Sequence, residues 1–329
     1  MKRVGGLYPQ ICSFDALFKA YKKAKSGTRK TEEACRFFYR LEPELLLLQQ
    51  ELQHQTYQPG PYRCFEVNDP KRRTIAVAPF RDRVVHHAVV AALEPIFERC
   101  FIVDSYATRK GKGTHAAVFQ AQRYLRQTGW YLKADIHKYF DSVHQETLLD
   151  LIARKVKDPD LLRLIGLIIR NGGRDGLGLP IGNLTSQFFA NVYLNRFDYF
   201  VKETLRVHRY VRYMDDFVLF STSKEELKAW LPAVEDFLGS ELRLRLKPEE
   251  LRLHPAAHGL PFLGVRIFPQ LIRFLPEHSR RIRQKISDKT AAWEAGRLPE
   301  ARFVDSMNSY HAHLSVFHTD ALRRQAFGL

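Results

Sequence analysis

Cysteine is scarce and scattered in this sequence. Its four residues, Cys12, Cys35, Cys64 and Cys100, form no C-x-x-C pair. That excludes a zinc ribbon and a disulfide scaffold, and it suits reduced thiols in the cytosol. Long apolar runs are missing too. The most apolar stretch, LLRLIGLIIR, is interrupted by Arg163 and is too short to span a bilayer. The first residues, MKRVGGLYPQICSFD, hold no apolar signal-peptide core. No repeat and no low-complexity linker occurs. Acid is in deficit: 36 Asp and Glu stand against 52 Lys and Arg, a net charge of +16 over 329 residues. Such an excess points to a polyanionic partner, nucleic acid before membrane, and the reading is a soluble cytoplasmic protein.

What is present is a globular composition, 45% hydrophobic, on a chain long enough for two or three subdomains. SFDALFKAYKKAK reads as a helix with Ser13 as N-cap and Gly27 past its end. YRCFEV and RTIAVAPF read as a hairpin turning at NDPKR. RKGKGTHAAVFQAQRYLRQ is a basic glycine loop entering a helix with Thr114 as N-cap. From 129 to about 247 the order is strand, helix, helix, strand-turn-strand, helix, strand. That order predicts a split ferredoxin-like βαββαβ unit, with helices on one face of a mainly antiparallel sheet and the other face open. A helical segment runs from Ser279 to the end.

Two stretches put acids where folding alone does not ask for them. Asp135 ends the apolar strand of LKADIHKYF, and Asp215 and Asp216 interrupt RYMDDFVLF. Aspartate is disfavoured in strands, and unpaired buried carboxylates are costly. Asp215-Asp216 alone reads equally as a hairpin turn, and Asp135 as a helix cap. Together they fall at the ends of two strands that the proposed sheet sets side by side. A divalent cation relieves their repulsion, and a pair of such ions serves phosphoryl transfer. Alternation along the strand is expected to point Asp216 away from Asp215.

These residues resemble the reverse transcriptases. Tyr213-Met214-Asp215-Asp216 matches their signature, and LKADIHKYFDSV, 80 residues upstream, resembles the partner motif. KRRTIAVAPFRDRVVHHAV, LPIGNLTSQFFANVYLN, LRLKPEE and LPFLGVRIF resemble further blocks in the same order. The resemblance implies an α+β right-hand polymerase fold. Residues 1–128 would form N-terminal helices and fingers, and 129–270 a palm with a fingers segment interleaved at about 145–178. Residues 271–329 would form a helical thumb. Ser186-Gln187 resembles the mid-motif of diversity-generating retroelements, where group II intron enzymes carry Gln-Gly. The NAxxH and VTG sequences of retrons are not found.

That resemblance implies error-prone copying of a template-repeat RNA into adenine-mutagenised cDNA, in a bacterium or a phage. It brings dNTPs, a cDNA primer or duplex, two Mg2+ ions with Mn2+ as substitute, and a small basic pentameric accessory protein. Retron, defence-associated and group II-like enzymes, or a non-catalytic RNA-binding palm, are the alternatives. Asp135, Asp215 and Asp216, with the Ile136 backbone, would hold the metals. Lys71 and Arg73 would meet the incoming nucleotide, unless Lys71-Arg72-Arg73 is a solvated edge. Phe140 would be a steric gate, or a core aromatic. Lys247 would lie near the triphosphate, in an uncertain register among Arg243 and Arg245. Phe262, Leu263 and Gly264 would grip the primer. His86-His87 and His311-Ala-His313 read as structural or RNA-facing, and Tyr310, Arg280, Arg281 and Arg283 as duplex-tracking or solvated.

One residue is odd. In LPIGNLTSQ, Ile181 sits in a turn where many reverse transcriptases have glutamine. This turn would line the nucleotide site, with Gly182 allowing close approach and Gln187 nearby. An isoleucine offers shape but no hydrogen bond, so Ile181 with Arg73 is expected to lower fidelity opposite adenine.

Overall fold

A computed structural model describes residues 3–26, 31–68 and 72–327. The chain opens with helices α1 (Tyr8–Ile11), α2 (Phe14–Lys25), α3 (Glu32–Tyr39) and α4 (Leu41–Gln53). A ribbon of β1 (Arg63–Asn68) and β2 (Arg72–Val77) leads to α5 (Phe80–Glu98) and α6 (Thr114–Leu125). Then come β3 (Trp130–Asp135), α7 (Tyr139–Ser142), α8 (Gln145–Ala153), α9 (Pro159–Asn171) and α10 (Leu184–Tyr199). β4 (Tyr210–Tyr213), β5 (Asp216–Ser221), α11 (Lys224–Leu242) and β6 (Arg252–Pro255) complete a four-stranded sheet. β7 (Leu260–Phe262), β8 (Val265–Ile267) and β9 (Ile272–Phe274) form a second sheet, followed by α12 (Pro276–Glu294), α13 (Glu300–Ser315) and α14 (Asp320–Phe327).

The first sheet runs β4-β5-β3-β6, every neighbour antiparallel. This is the βαββαβ order read from the sequence. Period-two alternation divides its residues. Leu132, Ala134, Tyr210, Phe217 and Leu219 enter a core shared with α5, α8, α9, α10 and α11. Tyr131, Val211, Val218 and Phe220 enter a second core with α6, β7, β8, β9 and the C-terminal helices. The second face is therefore not open, as the sequence reading had it. Aromatic residues on that face need burial, and α6 and the small sheet supply it. It stays uncovered at the end that carries Lys133, Asp135 and Asp216, which border a cleft of about 750 Å³.

Local signals held in part. Ser13 caps α2 by accepting from the Ala16 amide; Gly27 lies outside the described residues. Thr114 is not the N-cap of α6: Gly113, at φ +108°, takes that place, and the Thr114 hydroxyl bonds that of Tyr213 at 3.2 Å. The expected division at 271 falls inside the second sheet, because Ile272–Phe274 pairs with β8. No helix among the described residues is long and apolar enough to cross a membrane.

Candidate active site

Asp135 and Asp216 are partners across β3 and β5, the last pair of that ladder. Lys133, two residues back from Asp135, shares their face. Its ammonium lies 3.0 Å from Asp216 Oδ1, with the two side chains 8% and 19% exposed, so this ion pair is shielded from water. The contact lies off hydrogen-bonding geometry, and that oxygen has no donor in line among the described residues. Asp216 does not point away from the site. Asp215 occupies a turn, so strand alternation does not relate the two.

That turn has two residues, Met214 and Asp215, between the paired Tyr213 and Asp216. Met214 takes φ +57°, a conformation that disfavours side chains. Arg212 holds it there by donating to the Met214 carbonyl at 2.9 Å. Arg212 is itself fully buried and clamps Asp198 through Nε at 2.7 Å and Nη2 at 2.6 Å. Asn191 Oδ1 at 3.2 Å and the Ser105 hydroxyl at 3.1 Å complete its fork. The sequence reading passed over both Lys133 and Arg212. Alternation could have flagged them, since each is a cation at an inward position of a strand next to the acids.

Burial pushes the Asp215 carboxyl up to about 6, with Asp135 adding to the shift and Arg73 and Arg212 opposing it. Burial pushes Asp216 up to about 7 against the pull of Lys133, and Asp135 and Asp215 push the same way. These crowded, desolvated oxygens fit a hard divalent cation. No three acidic, histidine or cysteine side chains among the described residues converge tightly enough to enclose one ion. A hard divalent cation can be held by one or two carboxylates, with water and phosphate filling the rest of its shell.

Backbone hydrogen bonds set the chain that follows Asp135. The Lys247 amide donates to the Asp135 carbonyl at 2.8 Å, and the His137 amide to the Arg245 carbonyl at 2.9 Å. Carbonyls alternate along a strand, so that of Ile136 points the other way, to the side of the Met214–Asp215 turn. The Lys247 side chain bonds Glu250 at 3.1 Å. Burial works against its charge, but Glu250 and Asp135 outweigh it and its pKa is raised. Phe140 is half-buried beside Tyr139, and its carbonyl accepts from Leu179 at 2.8 Å, tying the glycine-rich loop to α7.

The turn before α10 docks on β2. The Ile181 carbonyl accepts from the Ala76 amide at 2.8 Å, and Asn183 Nδ2 donates to the Ala76 carbonyl at 2.9 Å. Gly182 is at φ +113°, and a Cβ there would lie 2.7 Å from Ile75 Cγ2 and 3.1 Å from the Ala76 oxygen. Its missing side chain therefore makes room for β2 rather than for a nucleotide. Arg73 stands exposed on β2, close enough to Asp215 to favour its charge. Lys71 lies outside the described residues. Gln187 is exposed on the first turn of α10 and borders a cleft with Arg83, His86, His87 and Gly182. Burial pushes His86 down to about 3 and His87 to about 4, so both are neutral at physiological pH.

Leu263 and Gly264 form a two-residue turn with φ of +50° and +83°. They line the cleft that holds Lys133, Asp135 and Asp216. Phe262 is buried in the second core beneath them and also borders the cleft.

The family described as "Reverse transcriptase (RNA-dependent DNA polymerase)" matches residues 67–267. Protein YkfC of Escherichia coli K12 is 28% identical, covering 71% of this chain and 74% of that protein. The group II intron-encoded protein LtrA of Lactococcus lactis subsp. cremoris is 24% identical over 66% of this chain. The chain spans about half of LtrA, 48% of its length. Among solved structures, apo telomerase from Candida tropicalis aligns with a TM-score of 0.49 at 11% identity, over 68% of this chain and 50% of that one.

Proposed function

This chain belongs to the reverse transcriptase family of RNA-directed DNA polymerases; from that premise we propose that it serves a diversity-generating retroelement, copying a template-repeat RNA into cDNA with errors concentrated at adenines. The observation that supports this reading is the docking of the Ile181 turn on β2, whose Arg73 reaches toward Asp215. The docked strand thus joins an apolar turn residue to a cation close enough to Asp215 to favour its charge. In place of an amide that could bond nucleotide or template, the turn presents only shape, which lowers discrimination between right and wrong pairs.

In this reading Asp135 and Asp215, with the Ile136 carbonyl, hold two Mg2+ ions, or Mn2+ in their place, and Asp216 completes the set. When bound, such ions supply the Lewis acidity that activates a primer 3′-hydroxyl and balances the leaving pyrophosphate. Arg73 and Lys71 hold the incoming base and triphosphate, and Lys247 stabilises charge on the same phosphates. Phe140 bars a ribose 2′-hydroxyl. Ile181, Gly182 and Gln187 form the wall beneath the nascent pair, and the turn at Leu263–Gly264, seated on Phe262, steadies the primer. The partners are the template RNA, the growing cDNA and a small basic pentameric accessory protein, in a bacterial or phage-infected cytoplasm.

A second reading, a group II intron-like enzyme of ordinary fidelity, is supported by the likeness to LtrA. Primer extension on an RNA template of mixed sequence, followed by sequencing of the cDNA, separates the two. Errors enriched opposite template adenines support the first. Even, accurate copying supports the second, and no divalent-dependent extension on any template overturns both.

A further inference from the structure

Behind the Leu263–Gly264 turn lies a seam of histidines that the polymerase reading does not use. His278, on the first turns of α12, sits beneath the turn: a Cβ on Gly264 would lie 3.5 Å from its Nδ1 and 3.7 Å from its Cε1. The Gly264 carbonyl also accepts from the Leu275 amide at 3.1 Å, just before α12 begins. The turn is therefore roped to the head of the helix by one backbone bond and backed by an imidazole. The His278 ring stacks on Phe274 of β9, with centroids 5.2 Å apart and planes inclined by 20°.

The contacts continue away from the turn. His313 on α13 lies 6.1 Å from His278 and 5.2 Å from Phe274, centroid to centroid. His115, at the start of α6, lies 6.2 Å from His313. Phe317 closes the group, 5.5 Å from His115 and 5.5 Å from Phe274. α6 packs in turn on β4, the strand that delivers the Met214–Asp215 turn. A chain of ring contacts thus runs from the primer-side turn, through α12 and α13, to the helix that backs the carboxylate hairpin.

We propose that His278 is a positioning residue: it seats the Leu263–Gly264 turn on the C-terminal helices and, through His313 and His115, sets the height of that turn over Asp135 and Asp216. The proposal rests on the polymerase reading, in which the turn steadies the primer. Imidazole suits the role because it stacks when neutral and repels its neighbours when charged. Burial, then His313, Arg281 and Lys285, hold its pKa below the ordinary imidazole value, against Glu277. Burial and His115 do the same to His313. At neutral pH His278 and His313 are uncharged. Acid puts like charges on α12 and α13, and the turn loses its seat.

Two measurements on the full chain test this. The first is hydrogen exchange at the Leu275 amide, which needs no catalysis. His278→Ala should speed it by about tenfold, and His278→Phe, which keeps the stack, should not. The second is product length per binding event on a long RNA template. His278→Ala should shorten it about tenfold with little change in single-nucleotide incorporation at saturating primer–template. In the wild type the protection of the Leu275 amide, corrected for intrinsic exchange, should fall as the pH drops below the ordinary imidazole range, and His278→Phe should abolish that acid sensitivity. Exchange at Leu275 unchanged in His278→Ala, or acid sensitivity retained in His278→Phe, overturns the proposal. A wild type that incorporates no nucleotide sinks the polymerase reading instead, and the exchange measurement still decides the coupling.

Discussion

Lys133 reaches diagonally across the sheet to set its ammonium 3.0 Å from Oδ1 of Asp216, the residue that pairs with Asp135. Two carboxylates at the open end of one sheet face thus lie beside one shielded lysine. The arrangement makes the site electrostatically tense without a cation and ready to receive one.

Removing that lysine leaves Asp216 buried beside two other acids. Lys133→Met should lose about 3–5 kcal/mol, the scale for breaking one side of a buried ion pair. The loss should be large at about pH 8 and shrink toward about pH 5, where Asp216 can take a proton. Adding Asp216→Asn should recover most of it. Thermal melts of the single and double variants across that range check the pair, and equal losses at both ends would count against it.

Asp215 has a folded pKa of about 6, above the ordinary carboxylate value. The sign follows directly. Where a folded acid holds its proton more tightly than the unfolded chain, stability is whole at low pH and falls as pH rises through the folded value. Asp215→Asn should therefore raise the metal-free protein's stability at about pH 8, by about 2 kcal/mol, and leave it unchanged near about pH 4. The same substitution should abolish primer extension while RNA binding persists. Melts in chelator and extension assays with and without Mg2+ read both effects.

Arg212 supports the Met214–Asp215 turn from inside the protein, joining Asp198 on α10 to the Met214 carbonyl. Arg212→Met strands a buried carboxylate and frees a turn held at positive φ. A loss of about 3–5 kcal/mol is expected in urea melts, together with loss of extension. Arg212→Lys should rescue little, because a point charge cannot span the partners that the planar fork does.

Ile181→Gln and Ile181→Asn test the fidelity reading. Each should lower misincorporation at template adenines more than it lowers total synthesis, read by cDNA sequencing. An error spectrum that does not move would refute the role. Gly182→Ala is a control of a different kind. Its Cβ would strike Ile75, so it should unseat the turn from β2 and impair synthesis on every template base.

The order of the palm-like strands, the helix cap at Ser13 and the Asp135 strand end were all legible in the sequence. Each depends on alternation, period or capping within a few residues of chain. The family was legible for a different reason: blocks of residue types recur in a fixed order. Direction was harder. Alternation along a strand was expected to point Asp216 away from Asp215; the register puts Asp215 in the turn and Asp216 in the strand, so alternation does not relate the two. Gly182 was expected to admit a nucleotide, yet β2, more than a hundred residues earlier in the chain, fills the space its side chain leaves.

The sequence by itself determined which residues carry charge, where strands end in acids, and how those strands alternate, because these are properties of short stretches. Only the tertiary structure decided which cation meets which acid. Lys133 could have served Asp135, its neighbour on the same strand, and Arg212 could have pointed into the cleft. Antiparallel registry set Asp216 within reach of Lys133, and burial of Arg212 against α10 obliged it to find Asp198. An unpaired charge out of water is too costly to leave, so the packed fold, not the local pattern, chose the pairs.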